Sequence, residues 1–368
     1  MTPAGFLVAA ALAGSPNLLE PPSFSGAAFF LEEDAFNIAR QSDQNYTGGG
    51  ALQLSGLWFK PATVPLEWID RFTGLQGRLD ALDQEDGRTY RGYSLALGLT
   101  VFTPRELRDF DPIPEDRPYS ALDFVTASRT SAFERLGWAI TTELTVAALG
   151  LDQGHQLQKL IHDRVRASKG CQDEEPDCVP HDPKGWANQI SYGGEPTLRY
   201  GLLLEHRMVD ARAADWARFD LKGVGQLDLG YYTGAAAGFA FRAGLFHTPF
   251  WAYNTAPING TNQAVPSVAS PPEAISSAGG PELYVYGALR GRAVAYNVLL
   301  RGQFRSSIVR LNDSEELPLL YEFEVGATAS WKGWGLTYMP FAGRSPEFKA
   351  GVPIRHHLWT SFYVWYRA

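Results

Sequence analysis

Residues 135–146 read RLGWAITTELTV, a stretch in which the two faces of an extended chain differ in polarity. Arg135 and Glu143 fall on one face of such a strand, whereas Trp138, Ile140 and Val146 fall on the other. The same alternation recurs along the segments that begin near Arg218 and Tyr321 of the chain. In a soluble sandwich the polar faces would look outward, whereas charges on neighbouring long strands suit the wet interior of a transmembrane barrel.

The composition favours one large all-β unit. The 368 residues include 37 Gly, 16 Tyr, 21 Phe and 10 Trp, and only 20% are charged. The mean hydropathy is -0.18, and no segment has the run of about 18 uninterrupted apolar residues that a membrane helix needs. The formal net charge of -8 argues against a nucleic-acid partner.

Twelve segments are predicted as strands, and an even number puts both termini at the periplasmic end of a barrel. We therefore predict an all-β fold, a twelve-stranded antiparallel transmembrane β-barrel with a short helical loop insertion at the extracellular rim. Two connections, 59–90 and 246–281, are longer than periplasmic turns usually are, and a tolerated insertion or a plug would account for each. The predicted strands are 25–32, 47–58, 91–102, 119–129, 132–147, 196–209, 215–231, 235–245, 282–303, 319–331, 333–341 and 354–366.

The first residues and the two cysteines indicate an exported protein. Residues 1–13 form an apolar stretch that ends in an Ala-x-Ala site and resembles a signal peptide, although a basic segment is missing. Residues 14–368 would then form the barrel. Cys171 and Cys178 close a short loop that has no histidine at metal-binding spacing, which favours a disulfide in an oxidising compartment. Two free thiols are the alternative.

The long loop 148–195 contains a predicted helix with a candidate general base. Gln158 and His162 lie one helical turn apart and therefore share a face. An imidazole is the usual base near neutral pH, and a glutamine one turn away can fix its ring. A structural or solvated histidine is the alternative. Lys159 and Arg166 make the helix basic, so it could also attract an anionic lipid headgroup.

Hard oxygen donors lie around the first two predicted strands, in the segments EED at 32–34 and DQNYTGG at 43–49. The carboxylates of Asp34 and Asp43 and the hydroxyl of Thr47 suit calcium better than zinc or copper. Solvated turn residues are the alternative. Arginines at 105 and 108 follow the third strand, and their guanidinium groups could pair with a phosphate or a developing oxyanion. All these segments fall at one rim of the predicted barrel.

Together these motifs resemble those of the outer-membrane lipid A 3'-O-deacylase family, over nearly the whole mature chain. Residues 32–36 resemble the family's E-N-D-x-F opening, 43–49 its D-x-x-Y-T-x-G segment and 102–104 its aromatic-Ser/Thr-Pro step. Residues 158–162 match Q-x-x-x-H, and 186–189 match W-x-x-Q. In this chain a glutamate at position 33 replaces the family's asparagine, and the arginines at 105 and 108 are the cations nearest to the place of its site lysine.

The resemblance implies a hydrolase that removes the ester-linked 3'-acyl chain from the lipid A of lipopolysaccharide, with calcium as cofactor. It implies that His162 is the general base, that Gln158 is its neighbour, and that Asp34 and Thr47 are site or metal ligands. The predicted catalytic residues are His162, Gln158, Asp34, Glu33, Thr47, Arg105 and Arg108, and the predicted calcium ligands are Asp34, Glu33 and Asp43.

The expected location is the bacterial outer membrane, with the active site facing the cell exterior and lipid A in the outer leaflet as the partner. We expect a monomer. Two other functions stay open, a passive or inactive barrel that binds lipopolysaccharide and an outer-membrane phospholipase. The loop 148–195 argues against an open channel, because such insertions often plug the lumen.

Overall fold

The computed structural model describes residues 17–33, 45–166, 182–214, 216–253, 280–305, 307–349 and 356–368. The predicted signal peptide and the cysteines at 171 and 178 lie outside these residues. In the described part, the short β1 (Asn17–Leu19) pairs in parallel with β4 (Arg88–Thr103), and twelve further strands, β4 among them, close an antiparallel barrel. The predicted twelve-stranded barrel is thereby confirmed. The barrel strands are β2 (Gly26–Glu33), β3 (Asn45–Ser55), β4 (Arg88–Thr103), β5 (Ser120–Phe133), β6 (Trp138–Leu149), β7 (Glu195–Ala214), β8 (Ala217–Gly230), β9 (Tyr232–Leu245), β10 (Glu282–Asn297), β11 (Leu319–Trp331), β12 (Trp334–Arg344) and β13 (His357–Arg367).

The barrel closes between its first and last strands. β2 and β13 pair antiparallel, with Gly26 opposite Arg367. An even number of antiparallel strands returns the chain to the end at which it started. We call this the terminus end, and it also carries the turns at 134–137 and 332–333. The end of β2, the start of β3 and the segment after β6 lie at the opposite end, so the described residues of the predicted motifs share one rim.

The two faces of the barrel strands differ, as the alternation predicts. Leu97, Val125 and Val146 are exposed on the outer face, whereas buried charged side chains line the lumen. Eight charged residues form a continuous chain of ion pairs with N–O distances between 2.5 and 3.5 Å. From one end of this series of ion pairs to the other, the residues are Arg117, Glu347, Arg344, Glu322, Arg292, Asp228, Arg199 and Glu143.

The segment after β9 folds back into the lumen at the terminus end. Lys222 projects from β8 into the lumen, and its Nζ donates a hydrogen bond of 3.0 Å to the carbonyl oxygen of Phe250. The ring of Trp251 stacks on that of Tyr90, with a distance of 4.9 Å between the ring centroids. The described part of the connection 246–281 therefore forms a plug.

The other long connection, 59–90, forms helices and is not a plug. A 3-10 helix (Leu57–Thr63) leads into α1 (Val64–Phe72) and α2 (Leu75–Asp86). Pro65 lies in the first turn of α1, where its missing N–H costs nothing. Gly74 and Gly87 flank α2 in the left-handed conformation, with φ of 78° and 70°. Among the described residues, no helix is long and apolar enough to cross a membrane.

This helix pair packs against the outer wall of the barrel. Arg129 lies on the same face of β5 as the exposed Val125, and its guanidinium group donates a hydrogen bond of 2.6 Å to Asp70 of α1. Leu79 of α2 packs on Phe133, which also belongs to that outer face. The helix pair thus covers Arg129, a charged residue on the outer face of β5.

Candidate functional site

The predicted helix of the long loop is present and lies outside the barrel. α3 spans Gln153–Ile161 and continues as a π-helical turn from His162. It packs against β4 and β5. Gly154 approaches Ala121 of β5 so closely that a Cβ atom on Gly154 would lie 2.5 Å from the Cβ of Ala121. Because Ala121 shares its strand face with the exposed Val125, α3 lies on the outer wall and does not plug the lumen.

The face of α3 that meets the wall carries two buried polar side chains. Gln158 and His162 are each only 2% exposed, whereas Leu160 is 53% exposed. The indole Nε1 of Trp186 donates a hydrogen bond of 2.9 Å to Oε1 of Gln158. The structure therefore places the candidate base and its neighbour on one buried helical face, and Trp186 fixes the orientation of the glutamine carbonyl.

A carboxylate joins α3 to the chain that precedes Trp186. Oδ1 of Asp182 lies 3.0 Å from Nε2 of His155, and its Oδ2 lies 3.5 Å from Nζ of Lys159 and 3.7 Å from Nζ of Lys184. Burial alone would raise the pKa of Asp182, but the hydrogen bond with His155 and the two lysine charges lower it below its ordinary value. Asp182 therefore stays ionised and holds the exposed side of the helix.

A β-bulge at the start of β3 changes the direction of the side chain of Thr47, one of the predicted site residues. The register against β4 shifts between Tyr46 and Gly48, so Thr47 is the extra residue between them. Oγ1 of Thr47 lies 2.6 Å from Oγ1 of Thr103 at the end of β4. Bulges often occur next to active sites, where they redirect a side chain.

The two glutamates at the end of β2 face opposite sides of the barrel wall, because successive strand residues alternate. Glu32 points into the lumen and accepts hydrogen bonds from Tyr46 at 2.7 Å and from Ser361 at 2.9 Å. Glu33 belongs to the outer face and is 3% exposed. A Cβ atom on Gly48 would lie 2.5 Å from Oε2 of Glu33, so the glycine leaves room for this carboxylate.

These side chains and α3 meet on one stretch of the outer wall. Val101 of β4 packs under α3 in a cluster with Leu157 and Trp186. Thr103 is the next residue on that strand face, and same-face neighbours are about 6.6 Å apart. The pair formed by Thr47 and Thr103 is therefore adjacent to the cluster beneath the helix.

The predicted oxyanion-binding arginines lie in the loop that follows β4. Arg105 is exposed, and its backbone N–H donates a hydrogen bond of 2.9 Å to Asp116. Arg108 is half-buried, and its backbone N–H donates one of 2.9 Å to Glu106. These contacts fix the backbone of the loop at the same end of the barrel as α3.

The predicted calcium ligands are described only in part, because Asp34 and Asp43 lie outside the described residues. Within the part of the chain that the structure describes, no group of three or more His, Cys, Asp and Glu side chains could hold a metal ion. The described donors, the carboxylate of Glu33 and the hydroxyl of Thr47, are hard oxygens of the kind that calcium prefers.

Some residues of this region were not singled out from the sequence. Gly154 precedes Gln158 by the same interval that separates Gln158 from His162, and this small-polar-polar spacing marks the buried face of α3. In the sequence, Thr103 is notable only as a member of the motif at 102–104. Nothing in the sequence points to Asp182, because its partners on α3 are distant along the chain. Only the folded chain brings them together.

A family model described as outer membrane protein LpxR matches residues 3–367 of the chain. The chain belongs to this family. Its members are outer membrane proteins by that description, and the barrel described above is consistent with such a location. No curated protein sequence matches the chain.

Solved structures extend the comparison with the LpxR family to the fold. LpxR from Salmonella typhimurium aligns with a TM-score of 0.67 at 12% sequence identity, over 93% of this chain and 99% of that one. The beta domain of the Bordetella autotransporter BrkA aligns with a TM-score of 0.38 at 10% identity, over 94% of this chain and 98% of its own. The translocator domain of the autotransporter NalP from Neisseria meningitidis aligns with a TM-score of 0.35 at 7% identity, over 94% of this chain and 88% of its own. The LpxR match supports the closed twelve-stranded barrel.

Proposed function

We propose that this chain is a hydrolase that removes an ester-linked acyl chain, at the 3'-position, from lipid A in the outer leaflet of the bacterial outer membrane. Membership of the LpxR family supports a role in lipid A deacylation. The observation that carries the proposal is the buried Gln158 and His162 face of α3, which is held against the outer wall of the barrel. A site on that side of the wall is within reach of lipid, whereas a site in the lumen would not be.

In the proposed reaction, His162 takes a proton from water while the water oxygen attacks the acyl carbon. The bond between the acyl carbon and the sugar oxygen then breaks, and His162 returns the proton to the departing sugar oxygen. Gln158, whose carbonyl accepts a hydrogen bond from Trp186, orients the base. Arg105 or Arg108 would stabilise the negative charge that develops on the carbonyl oxygen.

Calcium is the proposed cofactor, and Glu33, Asp34 and Asp43 are its proposed ligands. A calcium ion held by such oxygens would supply positive charge to the ester carbonyl. Thr47 lies beside these residues in the chain, and its bulged position directs its hydroxyl to Thr103 at the same rim. On this proposal the site belongs to the cell exterior, and the terminus end belongs to the periplasm.

The contents of the lumen argue against a passive pore. The series of paired charges runs from Arg117 and Glu347 to Glu143, and the plug around Phe250 lies in the lumen at the terminus end. An ion would have to separate buried pairs to pass, and removing one partner from such a pair costs about 3–5 kcal/mol. We expect the barrel to be monomeric and non-conducting.

Mass spectrometry of lipid A from cells with and without the protein tests the proposal. We expect the lipid A of expressing cells to lose the mass of one ester-linked acyl chain, and this loss should require calcium in the assay of isolated membranes. Unchanged lipid A with newly formed lysophospholipid would instead identify a phospholipase. If neither lipid changes, the chain is an inactive or passive barrel.

A further inference from the structure

The exposed side of α1 is apolar and contains the largest exposed aromatic side chains of the helix pair. Val64, Trp68 and Phe72 of α1 are 46%, 71% and 93% exposed, and Trp58 of the preceding 3-10 helix is 68% exposed; we call these four residues the α1 face. Large apolar groups that are contiguous and unpartnered usually mark an interaction surface. The exposed side of α2 is different, because it consists mainly of polar residues: Arg78, Asp80, Gln84 and Glu85.

The position of α1 along the barrel wall shows what surrounds this face. Trp138, Trp331 and Trp334 lie next to the turns at the terminus end and are exposed, which is the arrangement of an aromatic girdle at a membrane interface. Phe133 pairs with Trp138 at this level. Arg129 lies four residues further along β5, which places it about 10 Å inside the girdle for a strand tilted by about 40°.

Contacts with the wall place the junction of α1 and α2 deepest, because Gln76 at the start of α2 also accepts a hydrogen bond of 2.9 Å from Arg129. Asp70 of α1 accepts hydrogen bonds from Arg129 at 2.6 Å and from Tyr200 at 2.9 Å, well inside the girdle. The end of α2 lies at the turn itself, because Asp86 accepts a hydrogen bond of 2.8 Å from the backbone N–H of Leu136. The end of α1 and the start of α2 thus lie at the depth of Arg129, the end of α2 lies at the turn, and the large apolar side chains are on the exposed side of α1.

The α1 face is also continuous with the lipid-facing wall. Leu52 of β3 is 46% exposed on the outer face, and this strand leads through Gly56 directly into Trp58. On the opposite side of the barrel, β11 keeps apolar residues exposed from Leu319 to Trp331 without a helical cover. The helix pair therefore covers the outer face of β5 near the terminus end. The α1 face is the apolar surface that is exposed there instead.

We propose that the α1 face is embedded in the phospholipid leaflet at the terminus end of the barrel. Trp58, Trp68 and Phe72 lie among the glycerol groups and the upper acyl chains, and the exposed Arg71 reaches lipid phosphate. The occupant is the phospholipid leaflet itself, and neither a second copy of the chain nor a periplasmic protein. This inference rests on the membrane location of the barrel and on the proposed periplasmic orientation of its terminus end, and it is independent of the proposed hydrolysis.

Quenching of tryptophan fluorescence by brominated phospholipids tests the proposal on the full-length protein in phosphatidylcholine vesicles. The emission of Trp68 is the difference between the native chain and the Trp68→Phe variant, and Trp58→Phe gives a second, independent difference. Lipids brominated near the glycerol end and near the methyl end of the acyl chain serve as two quenchers. The matched control adds Ala81→Trp, on the exposed side of α2, to the Trp68→Phe variant.

We expect both native tryptophans to lose emission in brominated vesicles, more with the shallow bromine than with the deep one, and to be protected from aqueous iodide. The tryptophan introduced by Ala81→Trp should be quenched by iodide and little by the lipids. If Trp58 and Trp68 are quenched by lipid no more than this control, the proposal is wrong. Protection of both from lipid and from iodide would also overturn it, because another protein surface would then cover the face.

Discussion

The close approach of Gly154 to Ala121 makes a single methyl group a sharp probe of how α3 is docked. A Cβ atom on Gly154 would lie 2.5 Å from the Cβ of Ala121 and 3.2 Å from the ring of Trp186. Carbon atoms in contact are normally about 3.5–4.0 Å apart, so Gly154→Ala must lift the helix from the wall by about 1 Å. Overpacking of this kind costs about 1–3 kcal/mol.

The predicted consequence is a loss of catalysis in an intact barrel. A displacement of about 1 Å at a catalytic group can cost on the order of a hundredfold in rate, so we expect kcat/KM for lipid A deacylation to fall about 10- to 100-fold. Melting of α3 would not explain the loss, because alanine favours a helix over glycine by about 1 kcal/mol. Barrel integrity is checked by heat-modifiable migration in electrophoresis.

A compensating substitution separates this explanation from others. Ala121→Gly removes the methyl group that the new side chain meets, so the double variant Ala121→Gly with Gly154→Ala should regain part of the lost activity. The single variant Ala121→Gly is the matched control and should remain close to the native chain. Native activity in Gly154→Ala, or a double variant no more active than it, would refute the close docking of α3 on β5.

Three further expectations follow from individual contacts. Trp186→Phe removes the donor to the buried carbonyl of Gln158, at a cost of about 1–3 kcal/mol, and should lower kcat in the deacylation assay while the barrel remains folded; an unchanged kcat would show that this hydrogen bond does not position the site. Because the pKa of Asp182 is lowered in the folded protein, this carboxylate stabilises the docking of α3 at every pH above the ordinary aspartate pKa of about 3.9. The stabilisation is lost only as the pH falls below that value. Hydrogen exchange of α3 should therefore be uniform from neutral pH to about pH 5 once corrected for intrinsic rates, and early loss of protection would contradict the role of Asp182. Glu33→Asn removes a carboxylate from the proposed cation site and should raise the calcium concentration for half-maximal activity, with turnover at saturating calcium preserved or raised; tighter activation by calcium would refute Glu33 as a ligand.

The strands could be predicted from the sequence because a barrel wall imposes a period of two on every strand. Glu143 and Ile140 are on the faces that their alternation predicts, the lumen and the outer wall. The helix pair could not be predicted in this way. Arg129 breaks the apolar outer face of β5, and its partner Asp70 lies far away in sequence, so neither charge is explained until the helices are docked on the wall.

The candidate site was predictable in its residues but not in its position. The spacing of Gln158 and His162 indicates a shared helical face, yet nothing in that spacing says whether the face meets the lumen or the outer wall. The contact between Gly154 and Ala121 decides this, and it joins two distant segments. The bulge that directs Thr47 likewise depends on the register of β3 against β4, which a single strand does not encode.

The most direct test of the account is the deacylation rate of purified protein that carries His162→Asn, measured with lipid A in mixed micelles that contain calcium. The matched control is His206→Asn, which changes a histidine at the opposite end of the barrel, beside Trp138. Removing a general base typically costs about 10²- to 10⁴-fold, so the His162→Asn rate should fall by at least about 100-fold while the control retains activity and both barrels remain heat-modifiable. Release of the 3'-acyl chain at the native rate by His162→Asn would contradict the central claim that this histidine, held against the outer wall by α3, activates the attacking water.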